Sequence, residues 1–415
     1  MATTRISRRS MLAVLAGTGA ATLVGCDPAR DAATAVPIPD ALLVELDHGL
    51  GVLRGADRRS IPRSVATADG SAIYATAPDG ADTAFWRVDT TTGGTSPRVR
   101  LPGRWLPQAV SATGTLVALT AHPLNAAQGR PQGREVTPVL IADVTGVRHQ
   151  LELRGNFVPE TFTADLAGLF VLEWLPAKAP DRYRVRLVDL ATKAAGPLYT
   201  RTKAAIPPGA EEEMRGDGRQ AVLAPNRGTL YTLYTHQPDH QHTRDLVSGR
   251  PGNAHAFVHT LSLSARWAYC VDLPHPFGEA PTSGHAMAVS PDGGRLFVAD
   301  VTSGTVAEID TEELTVRRTV PVARATGTGH AAADGERLFL GAGTVVRSLD
   351  LARLGPAAEW PVREAVTGLV LGPDGRRLYV GQTGAVSWHD PATGRELGRV
   401  AVPGLVAVRG LAGRG

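Results

Sequence analysis

The sequence predicts an all-β chain folded as a single β-propeller of seven full four-stranded repeats, or of eight blades if fragments at the two termini join into a composite one. Three observations predict it. A twelve-residue strand–turn–strand unit recurs along the chain, strand-like segments follow one another at intervals of about forty residues, and no long stretch carries the period of an amphipathic helix. With 46 glycines and 30 prolines among 415 residues, turns must be frequent. Charged residues at 20% and aromatics at 5% describe a globular chain that is neither disordered nor polytopic.

The first twenty-five residues read as an export leader. Arg5, Arg8 and Arg9 precede an uncharged run from Ser10 to Gly25, whose apolar part of about fourteen residues is too short to span a bilayer. Ser7-Arg8-Arg9-Ser10-Met11-Leu12 resembles the twin-arginine export signal, and Leu23-Val24-Gly25-Cys26 resembles a lipobox. The resemblance implies cleavage before Cys26 and its diacylation, and two acyl chains anchor stably where one does not. Residues 26–40, rich in Ala, Pro and Asp, read as the lipidated cysteine and a flexible tether, which leaves 41–415 as the propeller domain. The expected location is therefore the extracytoplasmic face of the cell membrane, with the lipid as the membrane contact.

Removing the leader deletes three arginines and no acids, so the formal charge falls from +3 to zero. Nucleic-acid binding needs a clustered excess of Lys and Arg, and none remains. Two cysteines exclude a disulfide framework and a multi-cysteine metal ribbon. With Cys26 acylated, Cys270 is the one free thiol; in the alternating run Trp267-Ala268-Tyr269-Cys270-Val271 it reads as a small buried hydrophobe.

Ahead of the repeats, Leu42–Asp47 has the pattern of a third strand ending in aspartate, and Gly51–Arg54 that of a fourth. The repeat itself is clearest in Met287–Val298, with Ser290-Pro291-Asp292-Gly293 at its turn, and in Gly368–Val380, with Gly372-Pro373-Asp374-Gly375. Asp-Gly supplies the left-handed backbone of a tight hairpin, and the alternating apolar residues on either side supply two half-buried strands. Weaker copies place the second-strand anchors at Tyr74, Val117, Phe170, Tyr231, Phe297, Phe339 and Tyr379, spaced by 43, 53, 61, 66, 42 and 40 residues. A third strand follows each pair and usually closes on aspartate, as at Asp89, Asp143, Asp189, Asp310, Asp350 and Asp390. Such a carboxylate caps the next turn by accepting backbone N–H bonds. A fourth strand leads onward, as in Leu397–Val402, and Gly404–Val408 resembles one more first strand. Four strands per repeat is the propeller signature, and joining strands from both termini would close the ring and remove its exposed edges.

Arg295-Leu296-Phe297-Val298-Ala299-Asp300 and Arg377-Leu378-Tyr379-Val380-Gly381-Gln382 resemble the repeats of YVTN-type, WD40-like propellers of microbial cell surfaces. The resemblance covers nearly all of the mature chain and implies a fold, with diverse roles. The turns Asp89–Gly93 and Asp390–Gly394 also resemble repeats of pyrroloquinoline-quinone dehydrogenases, but both lack the docking tryptophan, so that cofactor is not expected.

Function is expected where the repeats are unequal. In a four-stranded meander the second-to-third turns and the links between blades share one end. There the last three units have three- or four-residue turns, whereas the segments Ala121–Val136, Leu175–Arg182, Lys203–Gly218 and His236–His255 are insertions on three adjacent units. Six of the twelve histidines fall between His236 and His275. Imidazoles suit borderline divalent metals, and His240-x-His242 on extended chain puts both rings on one side, with His236 or Asp239 available to complete a site. Arg244 and Asp245 extend this candidate binding rim. Glu211-Glu212-Glu213 reads as a solvated loop.

No nucleophile elbow, phosphate loop or catalytic dyad is legible. Two functions follow as expectations. The first is a non-enzymatic, membrane-tethered propeller that binds a protein, peptide or envelope glycan through this rim and needs no cofactor. The alternative is a metal-dependent, lactonase-like hydrolase or isomerase that uses a divalent metal on His236, His240 and His242 together with the central channel.

Overall fold

The computed structural model describes residues 37–55, 57–121, 130–215, 220–252 and 254–413. The expected leader with Arg8 and Arg9, and Cys26, the expected lipidation residue, lie outside these residues.

The chain forms eight four-stranded antiparallel sheets in a propeller ring. Blade 1 is composite: Ile38–Leu46, Gly49–Gly55 and Asp57–Ile61 come from the N-terminal side, and Leu405–Leu411 from the C-terminal side adds the fourth member of the sheet. Val44 pairs with Val408, which latches one end of the chain to the other. The seven predicted units are blades 2 to 8, and every predicted second-strand anchor sits on its blade's second strand.

The terminal fragments differ from the sequence reading by one position. Leu42–Asp47 falls on the second strand of blade 1 and Gly51–Arg54 on the third; the fourth is Asp57–Ile61. That outermost strand buries only Ile61, so it carries no alternation for a pattern search to detect. The first strand of the chain also begins at Ile38, inside the segment read as tether. Asp40 there accepts a hydrogen bond from the Tyr379 hydroxyl of blade 8 at 2.5 Å, so the ring is held from residue 38 onward.

Turn chemistry explains the repeat. Gly293 and Gly375 have φ of 77° and 68°, the left-handed region that an L side chain resists. The preceding aspartates stabilise these turns: Asp292 accepts from Gly294 N at 3.0 Å and Asp374 from Arg376 N at 2.9 Å. At the ends of the third strands, Asp89, Asp189, Asp310 and Asp390 each accept two successive backbone N–H bonds, which fixes the entry to the outer strand.

The core lies between blades. Tyr231, Leu233 and Val258 of blade 5 pack on Leu296, Val298 and Ile309 of blade 6, and Leu42, Val44 and Leu411 of blade 1 pack on Tyr379, Val386 and Trp388 of blade 8. Each large side chain buried in this way contributes about 2 kcal/mol. First strands line the central channel, where Leu223, Ala332, Leu369 and Leu411 bound a cavity of about 620 Å³ at the end of the tight turns. The ion pair Arg227–Asp69, at 2.8 Å between blades 5 and 2, spans that end.

Candidate metal centre on the outer strands of blade 5

The insertions of blades 3, 4 and 5 pack on one another at the opposite end. Arg134 N donates to Ala177 O at 2.9 Å, and Asn156 Nδ2 donates to Gln132 O at 2.9 Å and to Ala177 O at 3.1 Å. Arg215 N donates to Gln237 Oε1 at 2.9 Å, joining the link between blades 4 and 5 to the His-rich segment.

That link decides where the glutamates go. Met214 and Tyr183 exchange backbone hydrogen bonds of 2.8 and 3.0 Å, which clamps the segment along the third strand of blade 4. Consecutive side chains on extended backbone point in opposite directions, so the three carboxylates diverge. Glu211 meets Arg184 and Arg186 at 3.2 and 3.3 Å, and Glu213 meets Arg182 at 2.5 Å near the surface. Glu212 turns inward, with its side chain only 12% exposed. The sequence reading of Glu211-Glu212-Glu213 as a solvated loop is corrected here: Glu212 is the centre of the site.

Four ligand-type side chains surround it. Glu212 Oε2 lies 3.1 Å from His242 Nδ1 and 3.8 Å from His240 Nε2; Oε1 lies 3.2 Å from Cys270 Sγ and 3.8 Å from His259 Nε2. The donor atoms of Glu212, His240 and His242 all fall within 4.8 Å of one another, and so do those of Glu212, His259 and Cys270. His259 and Cys270 are direct cross-strand partners on the third and fourth strands of blade 5, which sets both side chains on one face. His240 stacks on Phe257 with ring centroids 4.5 Å apart, and its buried Nε2 has no hydrogen-bond partner among the described residues. His242 opens the short helix Thr243–Ser248, where the Asp245 carboxylate accepts from His242 N at 3.2 Å.

The electrostatics are those of a proton held between carboxylates. His242 Nε2 lies 2.5 Å from Asp272 Oδ1 while its Nδ1 faces Glu212. Burial pulls the His242 pKa down, but hydrogen bonds to Asp272 and Glu212 outweigh it and raise it above the ordinary imidazole value. Burial likewise opposes the ionisation of Glu212, yet the surrounding imidazoles hold its carboxyl well below the usual range. Burial, seconded by the Glu212 charge, pushes the Cys270 thiol well up, so without a cation it is a protonated, unreactive thiol. Arg244 donates to Asp272 Oδ2 at 2.6 Å and to Cys270 O at 2.8 Å and fixes the outer carboxylate.

Of the residues singled out in the sequence, His240, His242, Arg244 and Asp245 are therefore brought together. His236 and Asp239 are exposed, both with positive φ, and the His236 ring contacts the Thr235 hydroxyl instead of the cluster. Glu212, His259, Cys270 and Asp272 complete the arrangement. His259, Cys270 and Asp272 lie on the outer strands of blade 5 and Glu212, His240 and His242 on the insertions beside them, whereas the channel cavity is lined by none of these residues, so the two are not one site. Two triads of carboxylate, imidazole and thiol donors sharing one glutamate suit a borderline divalent ion, and three protein ligands leave a coordination position open.

Fold and site together define an eight-bladed propeller with a buried donor cluster on its elaborated rim. No family model and no curated protein matches the sequence. Among solved structures, apo AztD from Citrobacter koseri is similar, with a TM-score of 0.53 and 11% identity over 89% of this chain and 96% of that one. A second Citrobacter koseri AztD structure gives 0.51 at 10% identity, over 89% and 96%. Dihydro-heme d1 dehydrogenase NirN in complex with DHE also gives 0.51, at 14% identity, over 91% of this chain and 76% of that one. At these identities the likeness is one of fold.

Proposed function

We propose that this protein is a metal-binding propeller: a lipid-tethered, extracytoplasmic, non-catalytic binding protein that holds a borderline divalent ion such as zinc at Glu212 and presents it on its elaborated rim to an envelope protein, peptide or glycan. The observation that carries this reading is the buried Glu212 carboxylate with His240 and His242 at one oxygen and His259 and Cys270 at the other. A cation entering there inverts the local acid–base balance, because it replaces the His242 proton and stabilises the Cys270 thiolate that Glu212 otherwise opposes. The tether follows from the leader motifs ending at Cys26.

The lactonase-like alternative has less support, since its metal would need to face the central channel and none of the donor residues lines the channel cavity. Elemental analysis of tag-free protein exported by its own leader tests the proposal. About one zinc per chain, lost on substituting His242 and Cys270 together, is the expected result; less than about a tenth of a metal per chain overturns it.

A further inference from the structure

Glu212, His242, His259 and Cys270 form one wall of a cavity of about 400 Å³, within the usual size range of small-molecule sites. Much of the remaining wall is apolar, supplied by Val185, Leu198, Ile206 and Val247 with the rings of Tyr199 and Tyr269. Tyr199 and Val247 are 45% and 57% exposed, so apolar surface continues outward from the cavity. Arg201 also lines it. Its guanidinium donates only to the carbonyl oxygens of Glu312 and Glu313, at 2.8 and 3.1 Å, and has no carboxylate partner among the described residues.

These features complement one kind of ligand. An ion on three protein donors has a coordination position left over, and the cavity beside these donors offers apolar walls and a cation with no carboxylate partner among the described residues. Water there would have few partners, whereas an anionic oxygen on an apolar body would satisfy the ion, the arginine and the walls together. We propose that the cavity takes an amphipathic organic carboxylate as a co-ligand of the metal, its carboxylate displacing water from the open position and its apolar body lying against Leu198, Val247 and the two tyrosines. The inference rests on the metal-binding reading and deepens it: the cargo is an ion together with an organic acid.

Calorimetry on the full mature chain tests it in two stages. Zinc is first titrated into chelator-stripped protein; if none binds, the metal-binding reading itself has failed before any acid is added. Next, 3-phenylpropionate and its uncharged analogue 3-phenylpropanamide are titrated into stripped and zinc-loaded protein. The acid is expected to bind the loaded form at least about tenfold more tightly than the stripped form, and at least about tenfold more tightly than the amide. Val247→Glu and Arg201→Gln, both at exposed positions, are each expected to weaken the acid about fivefold or more, with zinc binding and circular dichroism unchanged. Equal binding to loaded and stripped protein, equal binding of acid and amide, no binding of the acid to loaded protein, or indifference to both substitutions overturns the co-ligand while leaving the zinc result in place.

Discussion

Glu212→Gln separates a built metal centre from a fortuitous polar cluster. The substitution keeps the size and shape of the side chain and removes only its charge. In the metal-free protein His242 then keeps one carboxylate, Asp272, whose side chain is 43% exposed, in place of two. Breaking a buried charge pair costs about 3–5 kcal/mol, and the surviving Asp272 contact argues for the low end, about 3 kcal/mol. The pH dependence follows from the two shifts. Glu212 ionises below its ordinary value of 4.5, so its contribution is present above that pH and is lost as pH falls through the folded value. His242 protonates above its ordinary 6.5, so its contribution is complete below 6.5 and is lost as pH rises through the folded value. The difference between parent and variant is therefore greatest between pH 4.5 and 6.5, read by urea unfolding in the presence of a chelator. Zinc affinity, read by competition with a chromophoric chelator, is expected to fall about 100-fold or more, since a ligand is lost and not merely its support. Glu213→Gln is the control: its side chain is 38% exposed and paired with Arg182, so stability changes by less than about 1 kcal/mol and zinc affinity stays the same. If Glu212→Gln matches the parent in both measurements, the reasoning is refuted.

Zinc uptake is expected to release protons, because His242 and Cys270 both carry them in the free protein; affinity rises with pH, and calorimetry in buffers of different ionisation enthalpy counts the protons. His236→Asn, at an exposed position off the cluster, is expected to leave zinc affinity within about twofold in the chelator competition assay. Burial holds His330 down to about 4, so the unfolded chain takes up that proton first and stability falls by about 3 kcal/mol as pH drops from 6.5 to 4; His330→Gln removes this part of the acid sensitivity in a urea series. Gly70→Ala puts a Cβ 2.0 Å from Leu411 O at a residue with φ of 69°, and is expected to destabilise ring closure by about 2–3 kcal/mol, seen as a lower urea midpoint with an unchanged slope.

The fold was legible where burial is two-sided. Second strands such as Arg295–Asp300 and Leu378–Gln382 are buried along nearly their whole length, so each repeat announces itself as an apolar run after an Asp-Gly turn. Outer strands face solvent, and Asp57–Ile61 or the two-residue Ala195–Gly196 leave no periodic trace. The site divides in the same way. His240 and His242 show as a local pair, and His259 with Cys270 had a readable signal, because the hairpin around Ser264–Arg266 pairs them directly. Glu212 had none. Its inward direction is set by the Met214–Tyr183 bridge to another blade, and a run of three glutamates ordinarily faces water.

This division has a physical consequence for how the centre works. Outer strands of a propeller tolerate polar side chains because they are solvated; the insertions of blades 4 and 5 then roof those side chains over, and burial turns ordinary surface residues into a donor cluster. Burying a carboxylate, three imidazoles and a thiol without a cation would ordinarily disrupt the local fold. The cluster is tolerated because His242, its pKa raised by these carboxylates, lies between Glu212 and Asp272 and can hold a positive charge there. On the metal-binding proposal, metal entry would exchange one cation for another within a framework already braced by Arg244, Gln237 and the Tyr183–Met214 bridge. Such an exchange would demand little ordering of the chain, so affinity is expected to follow proton competition more than folding of the loops, and to rise with pH in the chelator competition assay.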